Sequence, residues 1–220
     1  MLQIILKSLK DILSPSVLGF IVKASLGTFF IMVILFWMFW NSFSHLVASL
    51  VAHIPFIGHF AIVQSSGSFL GALIVAYGLI IVVISILTSL YSPKLLLKLA
   101  KKEYGIEGKD NSKVTKSIIY NIKASAIFIL LLILFLPLLF VPILGQIIML
   151  ILWAILLKEP TFYDVSSLFV ESEKDYKGYK SIWIVAIIAS LFNYIPLLNI
   201  FAPIFAQIMF MHWLLAKNYK

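Results

Sequence analysis

The chain of 220 residues is 62% hydrophobic and 12% charged, with a mean hydropathy of +1.09 and a formal net charge of +8. Soluble domains run close to half apolar and a quarter charged, so this composition excludes an ordinary soluble fold and places the chain in a bilayer. There is no cysteine, and all 17 cationic side chains are lysine; this excludes disulfides and thiolate metal sites and removes the bidentate fork with which Arg grips sulfate or phosphate.

The charges fall in four clusters, and the chain between them is uncharged. Lys7, Lys10, Asp11 and Lys23 come first. Eight lysines with Glu103, Glu107 and Asp110 occupy residues 94–123, four lysines and five acids occupy 158–180, and Lys217 and Lys220 follow. The lysines flank apolar runs, as cytoplasmic loops do, and no nucleic-acid-binding motif accompanies them, so no nucleic-acid partner is expected. The positive-inside rule then puts all four clusters, and both termini, in the cytoplasm.

In chain order, "LQIILKSLKDIL" sets Leu2, Ile5, Leu6, Leu9 and Ile12 on one helical face, with Lys7, Lys10 and Asp11 opposite. That pattern predicts an interfacial helix over residues 1–14. Residues 24–93 are uncharged for 70 positions, enough for two transmembrane spans joined by "HIPFIGHFAIVQSSGS" on the far side. Residues 94–123 form a cytoplasmic Lys-rich segment in which the second span extends as helix to near Gly105 or Gly108. "KDNSKVTKS" then reads as a loop and helix start.

Residues 124–157 and 181–216 are uncharged for 34 and 36 positions, and each is divided by a proline motif. A full crossing needs about 20 residues per helix. Ala124 to Leu136 supplies 13 and Ile143 to Leu157 supplies 15. The expectation is therefore a single all-α integral membrane domain: two long transmembrane helices, two re-entrant (hemi-penetrating) helical hairpins at 124–157 and 181–216, and the N-terminal interfacial amphipathic helix. Six short tilted spans in a thinned bilayer are the alternative. The intervening 158–180 reads as a cytoplasmic loop, with "EPTFYDV" as its turn and helix cap.

The proline motifs carry the functional argument. Proline is tolerated in a helix's first turn, so Pro142 and Pro203 fit as starts of the returning arms. The turns leave backbone groups needing partners at membrane depth, for which Asn193, Asn199, Gln146 and Gln207 are local candidates. "PILGQIIMLILW" and "PIFAQIMFMHW" form a weak internal repeat. Helix N-termini meeting inside the bilayer would make an anion site without Arg; simple mutual capping is the structural alternative. The expected anion pathway is Pro142, Gly145, Gln146, Asn193, Pro196, Asn199, Pro203 and Gln207.

An enzyme is not expected. There is no His-Glu-x-x-His, Gly-x-Ser-x-Gly or P-loop, the uncharged stretches hold no acid for a proton relay, and no metal or cofactor is implied. His53 and His59 are six apart, the wrong spacing for one helical face. His45 and His212 read as hydrogen-bonded to neighbouring helices, and Trp37, Trp40, Trp153, Trp183 and Trp213 as packing and interfacial anchors.

"SLFNYIPLLNIFAPIFAQ" (190–207) and "FLPLLFVPILGQIIMLILWAILLKEPTFYDV" (135–165) resemble the two hairpins of the CysZ-type sulfate permeases, bacterial inner-membrane proteins grouped with the eukaryotic etoposide-induced proteins. "LKDILSPSVLGFIV" and "SLYSPKLLLKLAKKEYG" occupy the positions of that family's lead-in and of its second span's end, and the resemblance implies a lead-in to the pathway at Ser14, Pro15, Ser16 and Lys23. The resemblance implies homo-oligomers in the lipid of the bacterial inner membrane that take up sulfate, or a related small anion, for sulfur assimilation. Where the family carries a Gly-Leu-Arg-Arg-like run associated with sulfate, this chain reads Ser16-Val17-Leu18-Gly19, and the next cation along the chain is Lys23. A non-transporting scaffold or bilayer-shaping protein of the same fold is the alternative.

Overall fold

Leu-, Ile- and Val-rich runs without charge satisfy their backbone within helices, and among the described residues all the regular structure is helical. The computed structural model describes residues 1–52, 68–109, 114–139, 141–170, 180–195 and 198–218. Its helices are α1 (Leu2–Ile12), α2 (Pro15–Ala52), α3 (Ser68–Tyr91), α4 (Pro93–Tyr104), α5 (Val114–Leu134), α6 (Leu136–Leu139), α7 (Leu144–Phe169), α8 (Lys180–Ser190) and α9 (Ala202–Asn218). Two 3₁₀ turns, Leu191–Tyr194 and Leu198–Phe201, separate α8 from α9. Among the described residues, four helical stretches are long and apolar enough to cross a membrane: Pro15–Ser42, Val114–Leu134, Leu144–Phe169 and Leu198–Lys217. A fifth is possible if α3 and α4 count as one broken span.

Helix boundaries follow local chemistry. Pro15 opens α2, where its missing N–H costs nothing, while the Ser14 carbonyl accepts from the Val17 and Leu18 amides at 3.0 and 2.9 Å. Pro93 cannot donate back along the chain, and α4 leaves α3 at 60° across Ser92. α4 stops at Gly105, which caps it at φ 67°, a conformation suited to glycine.

The chain divides into two compact units, residues 1–24 with 85–220, and residues 25–84. The smaller holds most of α2 and the first part of α3. Its α2 portion exposes Phe29, Phe30, Trp37, Met38 and Phe39 and bears no charge, the surface a lipid-facing helix presents. The larger is built around α9, which is buried almost all round from Ala202 to Leu215. α1, α4, α7 and α8 pack on α9, and α5 packs on α7. A helix apolar on every face belongs in such a position.

Three sequence readings need correction. "EPTFYDV" is not a turn: α7 continues through it, with Pro160 inside the helix and every residue from Pro160 to Leu168 buried. Interior proline costs about 3 kcal/mol, which the burial of Phe162, Tyr163, Val165 and Leu168 offsets at roughly 1.5–3 kcal/mol per large side chain. Asp11 does not share the exposed face of Lys7 and Lys10; it is buried with Ser8 and Ile12, while Leu2, Leu6, Leu9 and Leu13 point outward. Finally, α5 and α7 are 21 and 26 residues long, because Lys123 and Lys158 are incorporated into helix rather than bounding the arms.

Candidate functional site

The expected pathway residues divide between two places. At the α7 start, Pro142 lies in the turn before the helix and is exposed, and Ile143 caps α7 at φ 67°. That conformation strains a β-branched residue by about 1–3 kcal/mol. Gly145 is buried against α6: a Cβ there would lie 2.3 Å from the Leu139 carbonyl oxygen. Gln146 has an exposed side chain, and its carbonyl accepts the Tyr194 hydroxyl. The Tyr194 ring meets Trp153 edge-on at 5.0 Å, and Phe192 stacks on Phe205 at 4.2 Å. The first turn of α7 is thereby tied to the 3₁₀ turn that carries the buried Asn193. Asn199 is half-buried in the second 3₁₀ turn, and Pro203 is the second residue of α9, within its first turn as expected. Pro196, His53 and His59 lie outside the described residues.

Gln207 goes elsewhere. Its side chain is buried and its amide donates to Asp164 Oδ2 at 3.3 Å. Asp164 is the centre of a polar cluster inside the larger unit. Ser117 Oγ lies 2.7 Å from Asp164 Oδ1, Ser89 Oγ contacts Oδ2, and the two serine oxygens are 2.6 Å apart. Asn121 donates to Ser89 Oγ at 2.9 Å. All five side chains are at most 6% exposed. α3, α5, α7 and α9 each contribute to it.

Of this cluster Gln207 was expected among the pathway residues and Asp164 was read as part of the "EPTFYDV" turn, while Ser89, Ser117 and Asn121 were not singled out. Counting only the uncharged stretches for acids missed Asp164, because Lys158 and Glu159 make its neighbourhood look like a loop. The signal that was present is spacing: Ser85, Ser89 and Ser92, and Ser117, Asn121 and Ser125, recur at three- and four-residue intervals and so share one helical face each.

A second buried constellation holds α1 in place. His212 Nε2 lies 3.0 Å from Asp11 Oδ2, and His212 Nδ1 lies 2.8 Å from the Tyr104 hydroxyl. His212 is thus bonded to neighbouring helices, as its apolar setting suggests. Lys7 Nζ sits 4.8 Å over the Tyr104 ring. Between α5, α7 and α8, a groove of about 260 Å³ has Lys123, Lys158, Glu159 and Trp183 around an apolar floor of Ala124, Ile127 and Ile155. Lys158 Nζ lies 4.2 Å from the Trp183 ring centre. Of the lead-in residues, Ser14 is half-buried, and Pro15, Ser16 and Lys23 are exposed. Among the described residues no group of three or more His, Cys, Asp or Glu side chains could hold a metal.

Several apolar helices, lipid-facing aromatics and a buried polar core define a multi-pass helical membrane protein. The family model "Sulfate transporter CysZ/Etoposide-induced protein 2.4" matches residues 4–203, and the chain belongs to that family. No curated protein and no solved structure matches it.

Proposed function

We propose that this protein is a permease for sulfate or a related small anion in the bacterial inner membrane. The observation that carries the reading is the family match over residues 4–203, to a family of transporters. In this reading α2 and α3 are the long spans, α5–α7 and α8–α9 are re-entrant hairpins, and α1 lies at the interface. Both termini are cytoplasmic, and copies assemble as homo-oligomers.

Of the four arms, α8 supports a hairpin by its length: its 11 residues give only about 16 Å of helix, short of a crossing. Anion selectivity without Arg rests on backbone N–H groups around the α7 and α9 starts and on amide side chains such as Asn193 and Asn199. Lys123 and Lys158 at the groove add positive potential where an anion approaches.

The test is uptake of radiolabelled sulfate into proteoliposomes. Wild-type protein should give flux above empty vesicles, and Asn199→Leu should cut it at least severalfold. Absence of wild-type flux, with partner proteins recovered on gentle extraction, would favour the scaffold reading instead. Single cysteines at Gly58, Leu198 and Lys109 test topology, since the native chain has no thiol. Re-entrant hairpins predict labelling from outside at position 58 alone, and six spans at 58 and 198.

A further inference from the structure

We propose that Asp164 is a proton-binding site, and that the bound proton latches α3, α5 and α7 together. The geometry permits a count of protons. Asp164 Oδ2, Ser89 Oγ, Ser117 Oγ and Asp164 Oδ1 form a closed circuit with three oxygen–oxygen contacts, two of them 2.6 and 2.7 Å long. Contacts of this length are hydrogen bonds, and each needs a hydrogen between its oxygens. The two serines supply one each. With an ionised carboxylate, one contact would set two bare oxygens against each other.

A third proton, on Asp164, completes the circuit. The carboxyl O–H then donates to Ser89, Ser89 donates to Ser117, and Ser117 donates to Oδ1. The remaining bonds agree with this arrangement. Asn121 donates to Ser89 Oγ, which keeps a lone pair for it, and Gln207 donates to Oδ2, which still accepts. A bound metal fits less well: hard cations hold their oxygens at about 2.0–2.6 Å, and oxygens 2.6 Å apart would have to spread to admit one.

Among the described residues the surroundings offer no counter-charge. The groups facing Asp164 are Ser89 from α3, Ser117 from α5 and Gln207 from α9, and none of them titrates. Tyr163 beside it lies against Tyr120 of α5, with ring centres 4.9 Å apart and the planes tilted by 32°. On α4, which also packs against α7, Lys94, Lys98, Lys101 and Lys102 are exposed, and Glu103 is half-buried. Among the described residues no cation lies within ion-pair distance of Asp164.

The chemistry is a single exchange: the carboxylate takes a proton from hydronium, giving water and the neutral acid. Losing that proton leaves two hydrogens for three contacts, so one must open. Each of the three contacts joins a different pair among α3, α5 and α7, so whichever one opens, one helix pair loses its direct bond and the latch loosens. Flanking Ser89, the buried hydroxyls of Ser85 on α3 and of Ser92 at the break before α4 have no protein partner and extend the polar file.

Infrared difference spectroscopy on the reconstituted protein tests the site directly. At neutral pH, wild type minus Asp164→Asn should show the carbonyl stretch of a protonated carboxyl, and that band should vanish as pH is raised. A carboxylate band at neutral pH in its place would overturn the proposal. If Asp164→Asn does not fold, Ser117→Ala serves: loss of one donor should move the acid band to higher frequency, and an unmoved or missing band counts against the site. The latch has its own readout. A lone cysteine replacing Ser125 should label faster at high pH in the wild-type background, beyond the rise seen with Asp164→Asn. Equal rises would refute the latch. Neither readout depends on sulfate flux, so an acid band with no flux would retire the permease reading and leave this one standing.

Discussion

Replacing His212 with alanine probes how α1 is held. His212 is fully buried, Asp11 is 4% exposed, and the two are 3.0 Å apart, with the Tyr104 hydroxyl 2.8 Å from the other ring nitrogen. Truncation deletes both contacts and leaves the Asp11 carboxyl buried without its partner. Breaking a buried pair in this way costs about 3–5 kcal/mol, much of it the stranded group's desolvation rather than the bond itself. For a chain of this size that is a fall of about 6–20 °C in unfolding temperature. The assay is thermal unfolding in detergent of His212→Ala, Asp11→Ala and the double variant. Because the second substitution removes the stranded group, the double variant should be less destabilised than the sum of the singles by about 0.5–3 kcal/mol. Protease should also clip α1 sooner in His212→Ala than in wild type. Strict additivity, or an α1 as resistant as before, would refute the assignment of this contact as the anchor.

Other outcomes follow from the same coordinates. Gly145→Ala places a Cβ 2.3–2.9 Å from three backbone atoms of Leu139; backbone yields poorly, so stability should fall by about 1–3 kcal/mol or more, read as an earlier unfolding midpoint. On the exposed surface, Lys101 Nζ donates to Glu107 at 2.6 Å, which holds the Glu107 carboxyl below the usual carboxylate range. A depressed carboxyl contributes stability above its unfolded value and loses it as pH falls through the folded one. NMR titration should therefore find Glu107 shifting to higher pH in Lys101→Gln, with little change in overall stability because the pair is solvent-screened.

Much of the architecture was readable before any coordinates. Interruptions at Gly105, Pro142 and Pro203 were legible because each acts through its own backbone, by a missing N–H or a φ that only glycine adopts without strain; the 60° bend at Pro93 was not, since the second span was expected to run on as helix to near Gly105 or Gly108. The same locality explains a failure. Pro160 reads as a breaker, but α7 runs through it, since the cost of one lost hydrogen bond is smaller than the burial gained around Phe162 and Val165. The lysines misled in the same direction. Lys123 and Lys158 mark where an uncharged stretch ends, yet a long flexible ammonium can lie on a helix and reach outward, so charge marks the water and not the end of a helix.

Composition and pattern by themselves determined the solvent, the helical class and the family resemblance, because hydropathy and turn chemistry are properties of neighbouring residues. Partnership was decided only in three dimensions. Ser89, Ser117, Asp164 and Gln207 are spread over more than a hundred positions, and Asp11 and His212 over two hundred. A buried polar group must find partners wherever packing brings them, and no local rule specifies which distant side chain will arrive. Asp164 was therefore visible in the sequence as an acid, while its burial and its partners came from the way the helices pack.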